Sequence, residues 1–486
     1  MEYKWIALSN TTLGTLMSSL DGNIVIIAVP TIARDLRATP FEMLWVLLGY
    51  QLVTAVSLVN LGRLADILGR VKLYNLGFAI FTAGSALCSL SITGTELVAF
   101  RMIQGVGGAL LFSNSAAILT DAFPPNERGM ALGTNQVAIV AGSVTGLILG
   151  GVLTSLLGWR SIFWVNIPIG VFATLWSHFK LRELGRIKKG ERIDVWGNML
   201  FAAGLSSILT AITINAVSGL SLPIYASLLS LGFVALVGFG IVETRVEDPM
   251  FDFSLFRIRT FLAGNVAIFM NSLARGAFSL IMTLYLQGPT VGLSPLEAGL
   301  YLTPVSISLS ILGPVSGRIS DRYGSRYLAS LGLGVSAVGF LMLSNIGYRT
   351  SFLNLLLPMV LAGAGMGIFA SPNRASIMNS LPPERRGTGS GISSTLVNTG
   401  GILSLSTSFD IMGRKVPKAD LASIFSGNVV SNAPWTADFI SSIHEIFYLS
   451  TALLLIAVVP SLMRGSKEVE LRDRESSVIT VKQRRI

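Results

Sequence analysis

The stretch Gly62-Arg63-Leu64-Ala65-Asp66-Ile67-Leu68-Gly69-Arg70-Val71-Lys72 interrupts two long apolar runs with three cations, one carboxylate and two glycines. A near copy stands about 255 residues further on, at Gly317-Arg318-Ile319-Ser320-Asp321-Arg322-Tyr323-Gly324-Ser325-Arg326. Each lies between segments long enough to cross a bilayer, so each is expected to form a tight helix-to-helix turn at a membrane surface. Two copies imply two related halves.

The pairing extends outward from the turn. Gly105-Val106-Gly107-Gly108 and Pro124-Pro125-Asn126-Glu127-Arg128-Gly129 follow the first copy. Gly363-Ala364-Gly365-Met366-Gly367 and Pro382-Pro383-Glu384-Arg385-Arg386-Gly387 follow the second, both at an offset of 258. Three landmarks in one order at nearly one spacing indicate an internal repeat of the kind found in transporters.

Composition excludes a soluble domain. Hydrophobic residues make up 51% of the chain and charged residues 13%, with 50 glycines and a mean hydropathy of +0.66, whereas a soluble protein carries about 25% charged residues. Runs able to span a membrane fall at roughly 7–31, 43–61, 73–92, 97–119, 131–156, 162–180, 195–216, 222–242, 261–287, 297–316, 327–347, 352–376, 387–412 and 444–463. The first run is too long for a signal h-region and no small-residue cleavage site follows it, so it is expected to be retained. Placing the N-terminus in the cytoplasm puts 26 of the 36 Lys and Arg on the inner side. That distribution follows the positive-inside rule and explains the net charge of +10 without nucleic acid.

The expected architecture is an all-α integral membrane protein of fourteen spans. Six helices occupy 1–181, and linkers with an inserted pair of spans occupy 182–259. Six more helices occupy 260–463, and a basic cytoplasmic tail runs over 464–486. Both termini then face the cytoplasm, in a multi-pass protein of the cell membrane.

Charges inside the spans are the first candidates for function, because a carboxylate or guanidinium at mid-membrane costs about 2.5–3.5 kcal/mol on insertion scales. Asp21 lies about fifteen residues into the first span. Burial disfavours a carboxylate's charge and a nearby cation favours it, so a carboxylate whose surroundings alternate can load and release a proton. Arg101 and Gln104 are one turn apart and share a helix face; they either respond to Asp21, bind an anion or fix packing. Arg275, central in the ninth span, is a partner for Asp21 or a site for an anionic group, and Arg374 is read as a snorkelling cation. Asp410 is either a second acidic site or an exposed cap. Gly142, Gly146 and Gly150 have the four-residue spacing of close helix packing.

Several motifs are read structurally. Gly105-Val106-Gly107-Gly108 lacks the preceding strand of a dinucleotide loop. His178 and His444 sit near span ends without ligand spacing, so no metal site is expected. The amides Asn114, Gln136, Asn265, Asn271, Gln287 and Asn398 either line a cavity or bond helices together. The lone Cys88 excludes a disulfide framework and a cysteine-based metal cluster. No nucleophilic triad or phosphate loop appears, so neither an enzyme nor a cofactor is expected.

With these residues in view, the chain resembles the major facilitator superfamily, and within it the fourteen-helix drug:proton antiporters. Gly62, Asp66, Gly69, Arg70 and Lys72 match the first motif, Gly-x-x-x-Asp-x-x-Gly-Arg with trailing basic residues. Arg101, Gln104 and Gly105 match Arg-x-x-Gln-Gly of the fourth span, and Leu20, Asp21 and Pro30 match a motif of the first. Trp159-Arg160 and Asn166-x-Pro168-x-Gly170 are also similar to this family. The fifth-span motif is present except that Leu147 replaces its proline, and Arg275 and Arg374 depart from the family pattern.

The resemblance implies a monomeric, proton-coupled antiporter that exports amphipathic small molecules, its two halves rocking about a midplane site. It implies a conformational latch of Gly62, Asp66, Gly69 and Arg70, with Asp321 and Arg322 in the repeat. Arg70 would pair with Asp121, and Asp66 would meet the start of the thirteenth span near Gly387. The alternative is the same fold carrying an anionic metabolite or lipid-like anion on Arg275; a membrane sensor or enzyme is more remote.

Overall fold

The computed structural model describes residues 2–124, 127–185, 194–246, 249, 251–288, 290–382, 385–427 and 435–464. These residues form long helices and no strand. They are α1 (Tyr3–Asp35), α2 (Pro40–Leu68), α3 (Arg70–Leu90), α4 (Gly94–Ala122), α5 (Arg128–Leu157), α6 (Ser161–Trp164), α7 (Asn166–Lys180), α8 (Val195–Ser218) and α9 (Leu222–Glu243). Then follow α10 (Arg259–Arg275), α11 (Phe278–Gln287), α12 (Pro295–Tyr323), α13 (Ser325–Leu343), α14 (Phe352–Asn379), α15 (Arg386–Lys415), α16 (Lys418–Phe425) and α17 (Thr436–Met463). Thirteen segments among the described residues are long and apolar enough to cross a membrane, with α6–α7 and α10–α11 each counting as one. The remaining expected span, 387–412, is the 30-residue α15, whose glycines, serines and threonines keep it below that hydropathy.

Two compact units emerge. One comprises Met1–Met250, Ser279–Thr303 and Val416–Thr436; the other comprises Phe251–Phe278, Pro304–Lys415 and Ala437–Ile486. In the first unit α5 lies against α1 through a glycine ladder. A Cβ at Gly142, Gly146 or Gly150 would stand 2.6, 2.6 or 2.8 Å from the carbonyl oxygen of Leu16, Leu20 or Ile24. Both helices step by four residues, so the ladder fixes their register. The pair α8–α9 crosses at Gly204 and Gly232, and α8 reaches α2 through Trp45 Nε1, which donates to Thr213 Oγ1 at 3.3 Å.

Within its own unit, each repeat builds the same helix contacts. Gly77 approaches the Gly107 carbonyl and Gly332 the Gly365 carbonyl; Gly105 approaches the Tyr50 carbonyl and Gly363 that of Val305. Gly84 rests on Gln104, and Gly339 on Ala362. Gly142 packs on Leu16 and Ser19, and Gly400 on Phe269 and Ser272. The equivalences run at offsets of 253 for α1, 255 for α2 and α3, and 258 for α4 and α5. The helix starts repeat too. Thr39-Pro40 with Glu42 and Ser294-Pro295 with Glu297 each place a hydroxyl on the third amide and a glutamate back on the capping amide.

The two charged turns are tighter than expected from sequence. Helix α2 runs through Gly62 to Leu68, and the chain reverses at Gly69 alone, with φ of +109°. In the repeat, Gly324 has φ of +86°. Only glycine adopts such angles without a Cβ clash.

Candidate functional site

Asp21 is completely buried, and so are Arg101 and Gln104. The geometry follows from the glycine contacts. Gly84 lets α3 come close enough to α4 for Ser85 to reach Gln104, and Gly146 holds α1 so that Asp21 faces α4. Arg101 Nη1 donates to Asp21 Oδ2 at 2.5 Å, while Gln104 Nε2 and Asn166 Nδ2 each donate to Asp21 Oδ1 at 2.9 Å. Asn166 is the first residue of α7, which restarts after the four-residue α6.

A second tier holds the donors. Gln104 Nε2 also donates to Ser85 Oγ at 2.7 Å. Arg101 donates through Nη1 to Gln104 Oε1 at 2.6 Å and through Nε to the Val46 carbonyl at 3.2 Å, and its guanidinium lies 4.3 Å from the Tyr50 ring centre. This matters chemically. A buried arginine that loses its only counter-ion is strongly destabilised, but here Arg101 keeps a carbonyl, an amide oxygen and an aromatic face if Asp21 takes up a proton. The cluster is therefore furnished for both charge states of one carboxylate. Asp21's partner is Arg101 rather than Arg275.

The other expected residues fall elsewhere. Arg70 Nε donates to Asp66 Oδ1 at 2.8 Å, and Arg70 Nη1 reaches Asp121 Oδ1 and Oδ2 at 2.9 and 2.7 Å. Arg322 is exposed, and the side chain of Asp321 lies outside the described residues. Asp410 is buried and ion-paired to Arg414 one turn on, so it is not an exposed cap. Leu147 is buried, its carbonyl oxygen 2.6 Å from where a Cβ on Gly299 would lie.

Arg275 ends α10 at a break in the ninth span. There Gly276 closes on Gly401 of α15, and the Ala277 amide donates to Ser404 Oγ at 3.0 Å. Arg275 makes no hydrogen bond or ion pair among the described residues, and its buried Nε has no partner. Arg374, also a departure from the family pattern, is exposed on α14.

Two of the six amides, Asn265 and Gln287, bond to a neighbouring helix. Asn114 returns to the Leu110 carbonyl, Asn265 accepts from Ser393 Oγ at 2.7 Å, and Gln287 donates to the Ile27 carbonyl at 2.9 Å. The Gln136 side chain lies outside the described residues. Ser85 and Asn166 are the members of the cluster that sequence reasoning did not assign. The sequence signal for Ser85 is a polar group in an apolar run, and for Asn166 its place at the head of the Asn166-x-Pro168-x-Gly170 motif, to which the sequence alone assigns no role.

The family model described as Major Facilitator Superfamily matches residues 11–404. The chain is 29% identical to a riboflavin transporter of Clostridioides difficile, over 94% of this chain and 97% of that protein. It is 32% identical to the multidrug resistance protein Stp of Mycobacterium tuberculosis, over 80% and 72% of the two chains, and 29% identical to multidrug resistance protein 3 of Bacillus subtilis, over 90% and 85%. A crystal structure of a D-xylose–proton symporter shares the fold, with a TM-score of 0.62 at 15% identity across 94% of this chain and 97% of that one. A repeated, glycine-packed helical fold and these matches agree: the chain belongs to the major facilitator superfamily and is a membrane transporter.

Proposed function

We propose that the protein is a proton-coupled antiporter that exports amphipathic small molecules, with Asp21 as the residue that exchanges proton and substrate. The observation that carries this is the contrast between the repeats. At the positions equivalent to Asp21, Ser85, Arg101 and Gln104, the second unit has Ala274, Phe340, Met359 and Ala362, all buried. The same helix contacts thus form without a single charge, so packing does not call for the Asp21 cluster. Relatives named for multidrug resistance and export support the substrate class.

In this mechanism Asp21 and Arg101 are paired while the site awaits substrate, and protonation of Asp21 leaves Arg101 on Gln104, Val46 and Tyr50. The turn glycines and the Asp66–Arg70–Asp121 set act as the latch of one state, and the two six-helix halves alternate access to a midplane site. Asp410 is the second acidic candidate for coupling.

A second reading has one specific observation in its favour. Arg275, at a helix break with an unpartnered buried Nε, offers a cation to an anionic substrate.

The deciding experiment records pH inside proteoliposomes holding purified wild type or Asp21→Asn while cationic, neutral and anionic amphiphiles are added. Antiport predicts substrate-driven proton movement in wild type that disappears in Asp21→Asn. Movement that persists unchanged in the variant would remove Asp21 from the mechanism.

A further inference from the structure

Beside the first turns of α3, against the last turn of α7, lies an open groove of about 550 Å³ whose lining includes Lys72, Asn75, Leu76, Ser177, His178 and Glu183. None of the transport chemistry described above uses it. Its polar groups are unspent: Ser177 is fully buried with no partner for its Oγ, and Asn75 Oδ1 is buried and unpartnered as well. Among the described residues Lys72 makes no hydrogen bond or ion pair, and His178 makes only a ring contact with Phe179. Glu183, the one acid on the rim, is already engaged, its Oε2 accepting from the Val71 amide at 2.9 Å at the start of α3.

Two imidazole or ammonium donors, a buried hydroxyl and an unpartnered acceptor at the N-terminal end of a 21-residue helix describe a phosphate diester with a hydroxylated head. The surroundings describe its tails. Leu76 on α3 and Phe172, Leu175 and Phe179 on α7 are exposed, on segments apolar enough to span a bilayer. We infer that this groove is a binding site for an anionic glycerophospholipid. The phosphate sits on Lys72, His178 and Ser177, a head-group hydroxyl donates to Asn75 Oδ1, and the acyl chains run along the exposed faces of α3 and α7. Basic residues at a membrane surface attract anionic lipid in general; what is particular here is a formed groove with buried, unsatisfied polar atoms.

The test is native mass spectrometry of the full-length protein in mild detergent, titrated with phosphatidylglycerol or phosphatidylcholine of matched acyl chains. The site predicts one adduct formed at least tenfold more tightly with phosphatidylglycerol. Lys72→Gln combined with His178→Gln should weaken that adduct about tenfold, roughly 1.4 kcal/mol, while Lys72→Arg stays near wild type. Ser177→Ala, a single-atom deletion, should weaken it several-fold and decides the matter if the double variant does not fold. Equal affinity for the two lipids, or an adduct indifferent to both Ser177→Ala and the double substitution, overturns the inference. Loss of the adduct on adding millimolar inorganic phosphate overturns the lipid assignment, since it would mark a site for free phosphate.

Discussion

Gln104 and Ala362 occupy the same place in the two repeats, each beneath a glycine of the preceding helix, Gly84 in one case and Gly339 in the other. One side chain bridges Arg101, Asp21 and Ser85; the other is a methyl group buried among hydrocarbon. Identical backbone packing with opposite chemistry separates what builds the helix bundle from what is added to it.

That separation gives a stability prediction. Arg101→Met alone leaves Asp21 as a buried, uncompensated carboxylate and should cost about 3–5 kcal/mol. Installing the second repeat's residues together, Asp21→Ala, Arg101→Met and Gln104→Ala, should recover most of the loss, because no charge is then stranded. Thermal unfolding of the single and triple variants in one detergent checks the order; a triple variant less stable than Arg101→Met would contradict it. Substrate-driven proton movement should be absent from both.

The Arg70 fork gives a kinetic prediction. One guanidinium holds Asp66 on its own turn and Asp121 on α4, a geometry that an ammonium does not reproduce. Arg70→Lys should slow transport several-fold and leave the KM for substrate within about twofold. Initial rates across a substrate series separate the two effects, and a raised KM at unchanged maximal rate would place Arg70 in substrate binding instead.

The glycines should sort by their surroundings rather than by their motif. Gly69→Ala and Gly324→Ala force a Cβ into left-handed backbone and should each cost about 1–2 kcal/mol. Gly107→Val should cost more, because its first carbon already meets the Phe81 backbone at 2.5 Å. Gly133→Ala and Gly334→Ala have open space around them and should stabilise their helices by up to about 1 kcal/mol. Unfolding midpoints of the five variants test the ranking.

Arg275→Gln addresses the charge of the substrate. If the guanidinium faces transported anions, the substitution should move preference toward cations by about tenfold in a competition assay with matched amphiphiles. Unchanged selectivity would dismiss the anionic reading.

Much of this was legible in the chain. Apolar run length placed the spans, and the turn glycines and prolines gave the repeat, because both signals are local. Other features depend on distant partners. The ninth span breaks at Gly276, where Gly401 of α15 comes too close to leave room for a side chain, and nothing within 261–287 announces that contact. Asp21 stood out as a charge in a greasy helix, yet Asn166 and Ser85 became its companions only through helix crossings that sequence spacing does not encode. The fifteenth helix spans 30 residues despite its polarity because length is a local property, whereas its hydropathy reflects the serines it spends on neighbours such as Asn265 and the Ala277 amide.

The alkyl and aromatic twin of the Asp21 cluster has a further consequence. Two repeats alike in every side chain would respond alike to any change in proton concentration. Here the symmetry stops at the backbone: at these positions the first repeat carries a titratable, hydrogen-bonded knot, and the equivalent residues of the second are inert. On the proposed mechanism, a proton taken up at Asp21 therefore acts on one repeat and leaves the chemistry of its twin unchanged.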